Sequence, residues 1–446
     1  MSRTPGEADA VTVPDAGSAA FRPVVPDEQW RDWRWHLRKR VTNTEKARQW
    51  VRLSPDEEEA IIKTAGKYRW SITPYYASLM DPDDPQCPVR RQAMPSLGEL
   101  AEFSGAEVDP VGDMVYRKTN RVVHKYPDRV IMLVTEACPV YCRHCTRKFH
   151  TTDVQGTYFR DHEGGSYDED LRYIAEHPEI RDVLLTGGDP LSYQDGKLEE
   201  IISGLRSIPS VEIVRIGSRF PVLLPQRITE ELCEMLARYH PVWLNTHFNH
   251  PKEITEESAA AVDRLLRHGI PVGNQTVLLR GINDDVATMR TLMTELLRIR
   301  VRPYYLYHCD NVTGVSHFMT SVEKGWEIME GLQGHITGFG VPQYVLTTKI
   351  GKIPLARASY TETPEGLLLR NYRGEEMVVD SSAPRSARPI RDDPRQTART
   401  ALPALRGQLP RLVRHERTAR GHRAAGAVPL PDRVGERGVP AGANRG

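Results

Sequence analysis

Residues 129–149 read RVIMLVTEACPVYCRHCTRKF: an apolar run, 129–135, opens into a loop carrying Cys138, Cys142 and Cys145. The loop sets three thiols inside eight residues. Thiols so close can hardly be disulfide partners of one another, and an intracellular setting keeps them reduced. As thiolates they are soft ligands that suit an iron–sulfur cluster or zinc. A closed site normally has four protein ligands. Three around a cubane leave one iron open to an exogenous ligand, which is the arrangement of a catalytic centre. A zinc knuckle or an incidental cluster uses the same residues, so the surroundings of the loop have to decide.

From about residue 129 short apolar runs alternate with amphipathic stretches. The runs are RVIMLVT, RDVLLTGGD, VEIVRIGSR, VWLNTHFNH, VGNQTVLLRG and RPYYLYHCD. Helices are expected between them around 167–177, 196–207, 228–239, 254–268, 285–299 and 321–333. This alternation argues for an α/β fold with a parallel sheet and helical crossovers. Six units predict a partial (β/α)6 TIM-like barrel rather than the complete eightfold one. Polar residues gather where the runs end: the cysteine loop, Gly187-Gly188-Asp189, Ser218-Arg219, His247, Asn274-Gln275 and Asp310. In such folds the C-terminal strand ends converge on the active site. Core packing does not explain six strands presenting chemistry at one rim.

The 446 residues suit a barrel enzyme with extensions, and 39% hydrophobic with 27% charged content suits a substantial core. No apolar run has the length of a membrane span and the first residues lack a signal-peptide pattern, so a cytoplasmic location is expected. A net charge of +1 makes no global case for nucleic acid. Cys87, Cys233 and Cys309, the other thiols, are widely separated.

Residues 1–26 read as a disordered leader and 27–120 as a mainly helical region. That region opens with DEQWRDWRWHLRKRV, where Trp30, Trp33 and Trp35 recur near helical spacing among basic residues. Such a helix could touch nucleic acid or a membrane, although aromatics of this kind more often belong to the core. Ser54 begins a second helix, and 72–96 is turn-rich and expected to wrap the body that follows. The barrel takes 121–360, a hairpin 361–381, and a disordered Arg/Pro/Ala/Gly-rich tail 382–446.

Two further features carry chemistry. Gly187 and Gly188 let backbone approach a ligand closely, although an ordinary turn would use the same residues. Lys349 and Lys352 lie in a loop after the last strand. They read either as solvated loop lysines or as candidates to hold pyridoxal phosphate as a Schiff base.

The CxxxCxxC spacing, with Tyr141 just before the second cysteine, resembles the signature of radical S-adenosylmethionine enzymes. The GGD sequence resembles that superfamily's GGE-type motif, which contacts the amino group of S-adenosylmethionine. From about 28 to 380 the chain resembles the lysine 2,3-aminomutase family, radical enzymes that also use pyridoxal phosphate. The resemblance rests on WRDWRWHLRKR, ITPYYASLMDPDDP, HKYPDRV, YCRHCTRKF, RDVLLTGGDPL, HPVWLNTHFNHPKEITEES, GNQTVLLRGIND, IRVRPYYLYHCD and GKIPL.

It implies a 4Fe-4S cluster on Cys138, Cys142 and Cys145, with Gly187, Gly188, Asp189, His247 and Gln275 near S-adenosylmethionine. Lys352, in GKIPL, becomes the pyridoxal phosphate lysine, with Lys125, Tyr126 and Arg129 in the same site. Arg147 becomes the partner of the substrate carboxylate, where a forked guanidinium fits. The implied reaction moves an α-amino group to the β-carbon, started by a 5′-deoxyadenosyl radical.

Departures from the family bear on substrate and metal. Asp310 matches one of two aspartates that hold a distal ammonium; Thr347 stands in place of the second, beside a shortened Lys349-Ile350-Gly351 run. A carboxylate at 310 argues for a basic side chain and against glutamate. Losing charge and bulk at 347 leans toward L-arginine, with L-lysine the alternative. The family's C-terminal zinc cysteines are absent and Asp285 occupies their partner position, so no zinc is expected. Expected partners are a basic amino acid, a flavodoxin- or ferredoxin-type reductant and further copies of the chain, without membrane or nucleic acid. A β-amino acid product would suit antibiotic biosynthesis. Two competing readings are a radical enzyme lacking pyridoxal phosphate and a zinc-stabilised nucleic-acid-binding protein.

Overall fold

The computed structural model describes residues 23–152, 166–357, 360–364, 366–371 and 373–379. The expected tail, and the expected leader up to residue 22, lie outside the described residues.

Nine strands form one sheet in sequence order: β1 Val122–Tyr126, β2 Arg129–Thr135, β3 Asp182–Gly187, β4 Ile213–Gly217, β5 Val242–Thr246, β6 Val272–Leu278, β7 Arg302–His308, β8 Gln343–Thr348 and β9 Gly351–Pro354. Strands β2 to β8 are parallel, while β1 and β9 run antiparallel to their neighbours at the two edges. The six expected runs are β2 to β7, and β8 completes a sixth crossover. The result is a wound (β/α)6 barrel of the kind expected, with β1 not foreseen.

The crossover helices span Asp168–Ala175, Asp195–Arg206, Glu230–Ala237, Glu256–Arg267, Val286–Arg298 and Val322–Leu332. Their sequences explain both ends and faces. Thr229, Asp285 and Ser321 each accept a backbone N–H at the first turn, and Thr255 forms a capping box with Ser258. On the second helix Leu198, Ile201, Ile202 and Leu205 make one buried stripe at helical spacing. Each such side chain contributes about 1.5–3 kcal/mol by leaving water. Along the strands the alternate residues turn either to these helices or to the barrel lumen. In β4, Val214 and Ile216 are fully buried on one side, while Arg215 and Gly217 face the lumen.

The N-terminal region wraps this body. The tryptophan stretch is two short helices, Asp27–Arg31 and Trp33–Arg38, because Asp32 leaves helical geometry and its side chain caps the second. Trp33 is buried, with the guanidinium carbons of Arg34 and Arg227 each 4.6 Å from a ring centroid. Ser54 and Glu57 form the capping box of helix Pro55–Thr64. The turn-rich segment is sewn to the barrel wall by Thr73 Oγ1 donating to Leu223 O (2.6 Å) and Tyr76 to Glu253 (2.7 Å). After β9, three antiparallel strands follow where one hairpin was expected: β10 Tyr360–Thr363, β11 Gly366–Arg370 and β12 Glu376–Val379. No described helix is long and apolar enough to cross a membrane.

Candidate active site

A cavity of about 510 Å³ occupies the lumen at the C-terminal strand ends. Cys138, Cys142, Cys145, Gly187, Gly188, Asp189, His247, Gln275, Lys125, Tyr126, Arg129, Arg147, Asp310, Thr347 and Lys352 all line it. Residues spread over more than 200 positions of sequence thus meet in one space.

The cysteine loop is held from behind by buried charge. Glu99 receives Arg143 (Nε 2.9 Å, Nη2 2.5 Å) and Lys148 (2.7 Å), all of them within the protein interior. Burial alone would raise the pKa of Glu99, but Arg143 and Lys148 overcome it and hold the carboxyl at about 2. On the lumen side Arg219 Nη1 donates to Cys142 Sγ at 2.9 Å. Its other nitrogens are fixed by His247 O, Gln92 and Glu253. All six cysteines are free thiols. Burial, joined by Asp189 for Cys138 and by Cys142 for Cys145, pushes both thiols upward. A metal centre's positive charge is what would ionise them.

Among the described residues no three His, Cys, Asp or Glu converge tightly enough for a single metal ion. Three soft thiols lining one cavity fit a cluster, which takes one thiolate per iron.

Gly187 and Gly188 shape the wall beside the loop. Gly187 has φ +114°, and a Cβ on Gly188 would lie 2.4 Å from Ala137 O. Only glycines allow Gly188 N to reach Thr135 O and Asp189 N to reach Ala137 O (2.8 Å). The Asp189 carboxylate accepts from the backbone N–H of Arg219 (2.7 Å) and of Leu191 (3.1 Å). Burial raises its pKa to about 6 against these hydrogen bonds. Its side chain therefore fixes the turn that lines the cavity.

Across the lumen a relay runs between strands. Gln275 Oε1 accepts from the hydroxyls of Tyr304 and Tyr307, each at 3.0 Å, which leaves its amide to donate to His247 Nε2 at 2.8 Å. Burial, with Arg219 and Arg147 nearby, lowers His247 to about 3, so the ring is neutral and carries its proton on Nδ1.

The opposite end is cationic. Lys352 lies in β9 directly across from Thr347 in β8, with its side chain open to the cavity. Burial comes first in lowering its amine to about 8, and Arg147, Arg215, Arg129 and Lys125 add to it. Tyr126 accepts the backbone N–H of Lys352 at 2.9 Å, and Arg129 stacks 4.0 Å over the Tyr126 ring. An amine of lowered pKa amid Arg129 and Arg215 fits an aldehyde that carries a phosphate. Lys349 instead pairs with Glu107 at the surface, so geometry separates the two candidate lysines. Lys125 donates to Val111 O (2.8 Å) and Thr348 O, tying two segments of the cavity mouth together.

Between these ends, Arg147 Nε donates to Asp113 at 2.7 Å. Asp310 Oδ2 accepts from Thr146 at 2.6 Å, while its Oδ1 is buried without a partner.

Other strand-end residues do structural work. Asn274 bridges to both backbone groups of Phe248, and Ser218 Oγ accepts Phe220 N–H. Several cavity residues were not foreseen as site residues: Arg215, Asn245, Tyr304, Tyr305, Tyr307, Asp113, and His144 with its unpartnered Nδ1. A polar residue alternating with apolar ones in a barrel strand, as in Val214-Arg215-Ile216, is the signal that could have found three of them. Asp113 and His144 lie on loops and carry no such signal.

Comparison with known proteins is consistent with this geometry. Residues 132–292 match the Radical SAM superfamily. The L-lysine 2,3-aminomutase of Fusobacterium nucleatum subsp. nucleatum is 47% identical over 357 residues, covering 79% of this chain and 83% of that protein. The enzyme of that name from Clostridium subterminale is 47% identical over 353 residues, 78% of this chain and 84% of that one. Glutamate 2,3-aminomutase of Clostridioides difficile is 42% identical over 357 residues, with 79% and 83% coverage.

Proposed function

Because the chain belongs to the lysine 2,3-aminomutase family of radical S-adenosylmethionine enzymes, we propose that it moves the α-amino group of a basic L-amino acid to the β-carbon. The observation that carries the substrate class is Asp310 Oδ1, a buried acceptor with no partner that borders the cavity. A cationic side chain satisfies it, whereas the carboxylate of glutamate would be repelled. Two of the three relatives named above have lysine in their names, and lysine is the substrate we assign first. L-Arginine is a second reading, favoured by Thr347: a hydroxyl there leaves Asp310 as the single carboxylate, which a planar guanidinium can engage with two hydrogen bonds.

The residues divide the work as follows. Cys138, Cys142 and Cys145 would hold the cluster, and Arg219 steadies the Cys142 sulfur. The backbone of Gly187–Asp189 and the neutral His247–Gln275 pair would border S-adenosylmethionine. Lys352 would hold pyridoxal phosphate, with Arg129 and Arg215 on its phosphate. When bound, these groups supply a radical that removes and returns hydrogen, together with an aldehyde and π-system that carry the migrating nitrogen. Arg147, oriented by Asp113 through Nε, keeps its two terminal nitrogens for the substrate carboxylate. Asp310 and Arg147 thereby grip the amino acid at both ends and fix which carbon faces the radical.

The test is anaerobic reconstitution followed by parallel incubation with lysine, arginine and glutamate. A β-isomer of lysine or arginine is expected, and preferential conversion of glutamate would overturn the assignment.

A further inference from the structure

The basic segment ahead of the barrel takes no part in the chemistry above, yet it reaches the cysteine loop. Arg40 Nη1 donates to the carbonyl of Cys138 at 3.1 Å, and Arg40 is itself only half-buried, so one side chain links the cysteine loop to this face. Between Arg38 and Arg52 the six cations, set against the single acid Glu45, fall into two sets. Arg38, Arg48 and Arg52 are neutralised by Asp32, Glu58 and Asp83. Lys39, Arg40 and Lys46 have no carboxylate partner among the described residues. Lys39 is exposed, Arg40 is spent on Leu37 O and Cys138 O, and Lys46 bonds Arg40 O and Thr42. With 60 basic against 59 acidic residues, the chain as a whole is balanced, so this excess is local.

We infer that the Lys39–Arg40–Lys46 patch is the docking surface for an acidic one-electron-donor protein. The inference rests on reading Cys138, Cys142 and Cys145 as ligands of a reducible cluster. One electron leaves the donor's redox centre and enters the cluster, and no other group is transferred. Encounters of this kind bury little area, so a small cationic patch is enough to orient them. Exposed carboxylates on the donor are drawn to it, and steering raises the encounter rate. Nucleic acid would meet the same charge, but it brings no electron to a centre one side chain away.

The double variant Lys39→Glu/Lys46→Glu keeps the Arg40 side chain that bonds Cys138, and iron content equal to wild type checks that the loop is intact. With flavodoxin as the probe, its Kd for the enzyme and its half-saturating concentration in turnover should both rise about tenfold at low salt. Turnover driven by dithionite, which needs no docking, should keep the wild-type rate. Carbodiimide cross-linking of the unmutated enzyme to flavodoxin gives a readout independent of any variant's folding: Lys39 or Lys46 should be joined to flavodoxin carboxylates. Unchanged flavodoxin affinity in the double variant overturns the docking surface, as do cross-links confined to other lysines. So does a variant that loses only affinity for a DNA duplex. Wild-type protein that retains no iron after reconstitution would instead overturn the aminomutase reading itself, and the docking surface with it.

Discussion

Replacing Asp310 by Asn removes a charge while keeping the side chain's shape. In the free enzyme Oδ2 is occupied by Thr146 at 2.6 Å and Oδ1 has no partner. A cationic side chain that reaches Oδ1 makes a charge-assisted hydrogen bond out of water, worth about 1.5–3 kcal/mol. At about 1.4 kcal/mol for each factor of ten, Asp310→Asn should lower kcat/KM by about ten- to a hundredfold. The loss should fall mainly on KM, because the contact is remote from the reacting carbons and holds ground and transition states alike. Formation of the β-amino acid under anaerobic conditions, followed by chromatography of derivatised products, measures it for lysine and arginine separately. A pH signature accompanies the loss. Burial raises the Asp310 carboxyl to about 6, opposed by the Thr146 hydrogen bond, Arg147 and Lys352. As pH falls through about 6 the free enzyme's carboxylate takes a proton and its pull on the cation disappears, so wild-type kcat/KM should decline on that limb. Asp310→Asn should lack the limb. A variant that kept both the wild-type kcat/KM and its acidic limb would show that Asp310 does not hold the substrate, and the basic-substrate assignment would fall with it.

Lys352→Ala should abolish borohydride trapping of pyridoxal phosphate. In the wild type, trapping should grow as pH rises through about 8, where the amine loses its proton. Glu99→Gln leaves Arg143 and Lys148 buried without their anion, a change that costs about 3–5 kcal/mol and should lower Tm by about 4–7 °C. Because Glu99 is held at about 2, its contribution is present above the ordinary carboxylate range and fades as pH falls toward 2. The Tm difference between wild type and Glu99→Gln should therefore shrink in acid; a constant difference would refute the charge argument. Gly188→Ala places a Cβ 2.4 Å from Ala137 O and should displace the cysteine loop, which iron content after reconstitution would report.

Much of the barrel was legible because its elements obey local rules. Apolar runs placed the first residues of the parallel strands, and the amphipathic stretches between them placed both ends of the crossover helices, to within about two residues; the runs of β5 and β6 extended three to four residues past the strands into the polar loops. The break at Asp32 was not read, because three tryptophans near helical spacing outweighed a single capping aspartate between them. Strand β1 was missed for a different reason: VVHKY is too short and too polar to stand out, and its pairing with β2 defines it. For the site, strand ends brought Gly187, His247 and Asp310 to notice, since position in the fold and chemistry coincide there. Glu99 could not be found in this way. Its partners, Arg143 and Lys148, lie 44 and 49 residues away, and neither side of the contact has a local signature.

The barrel's two edge strands never pair as a ladder, yet they touch where Lys352 N–H meets the Tyr126 hydroxyl, and next to that contact Lys125 of β1 reaches Thr348 O at the end of β8. A vitamin linked to Lys352 and gripped by Arg129, which opens β2 and stacks on Tyr126 of β1, would lie across that gap like a buckle, because one ligand would tie β9 to the β1–β2 side of the sheet. Loading should then stiffen the wall as well as equip it: amide exchange in 122–126 and 351–354 should slow on uptake, while the strands opposite stay as they were.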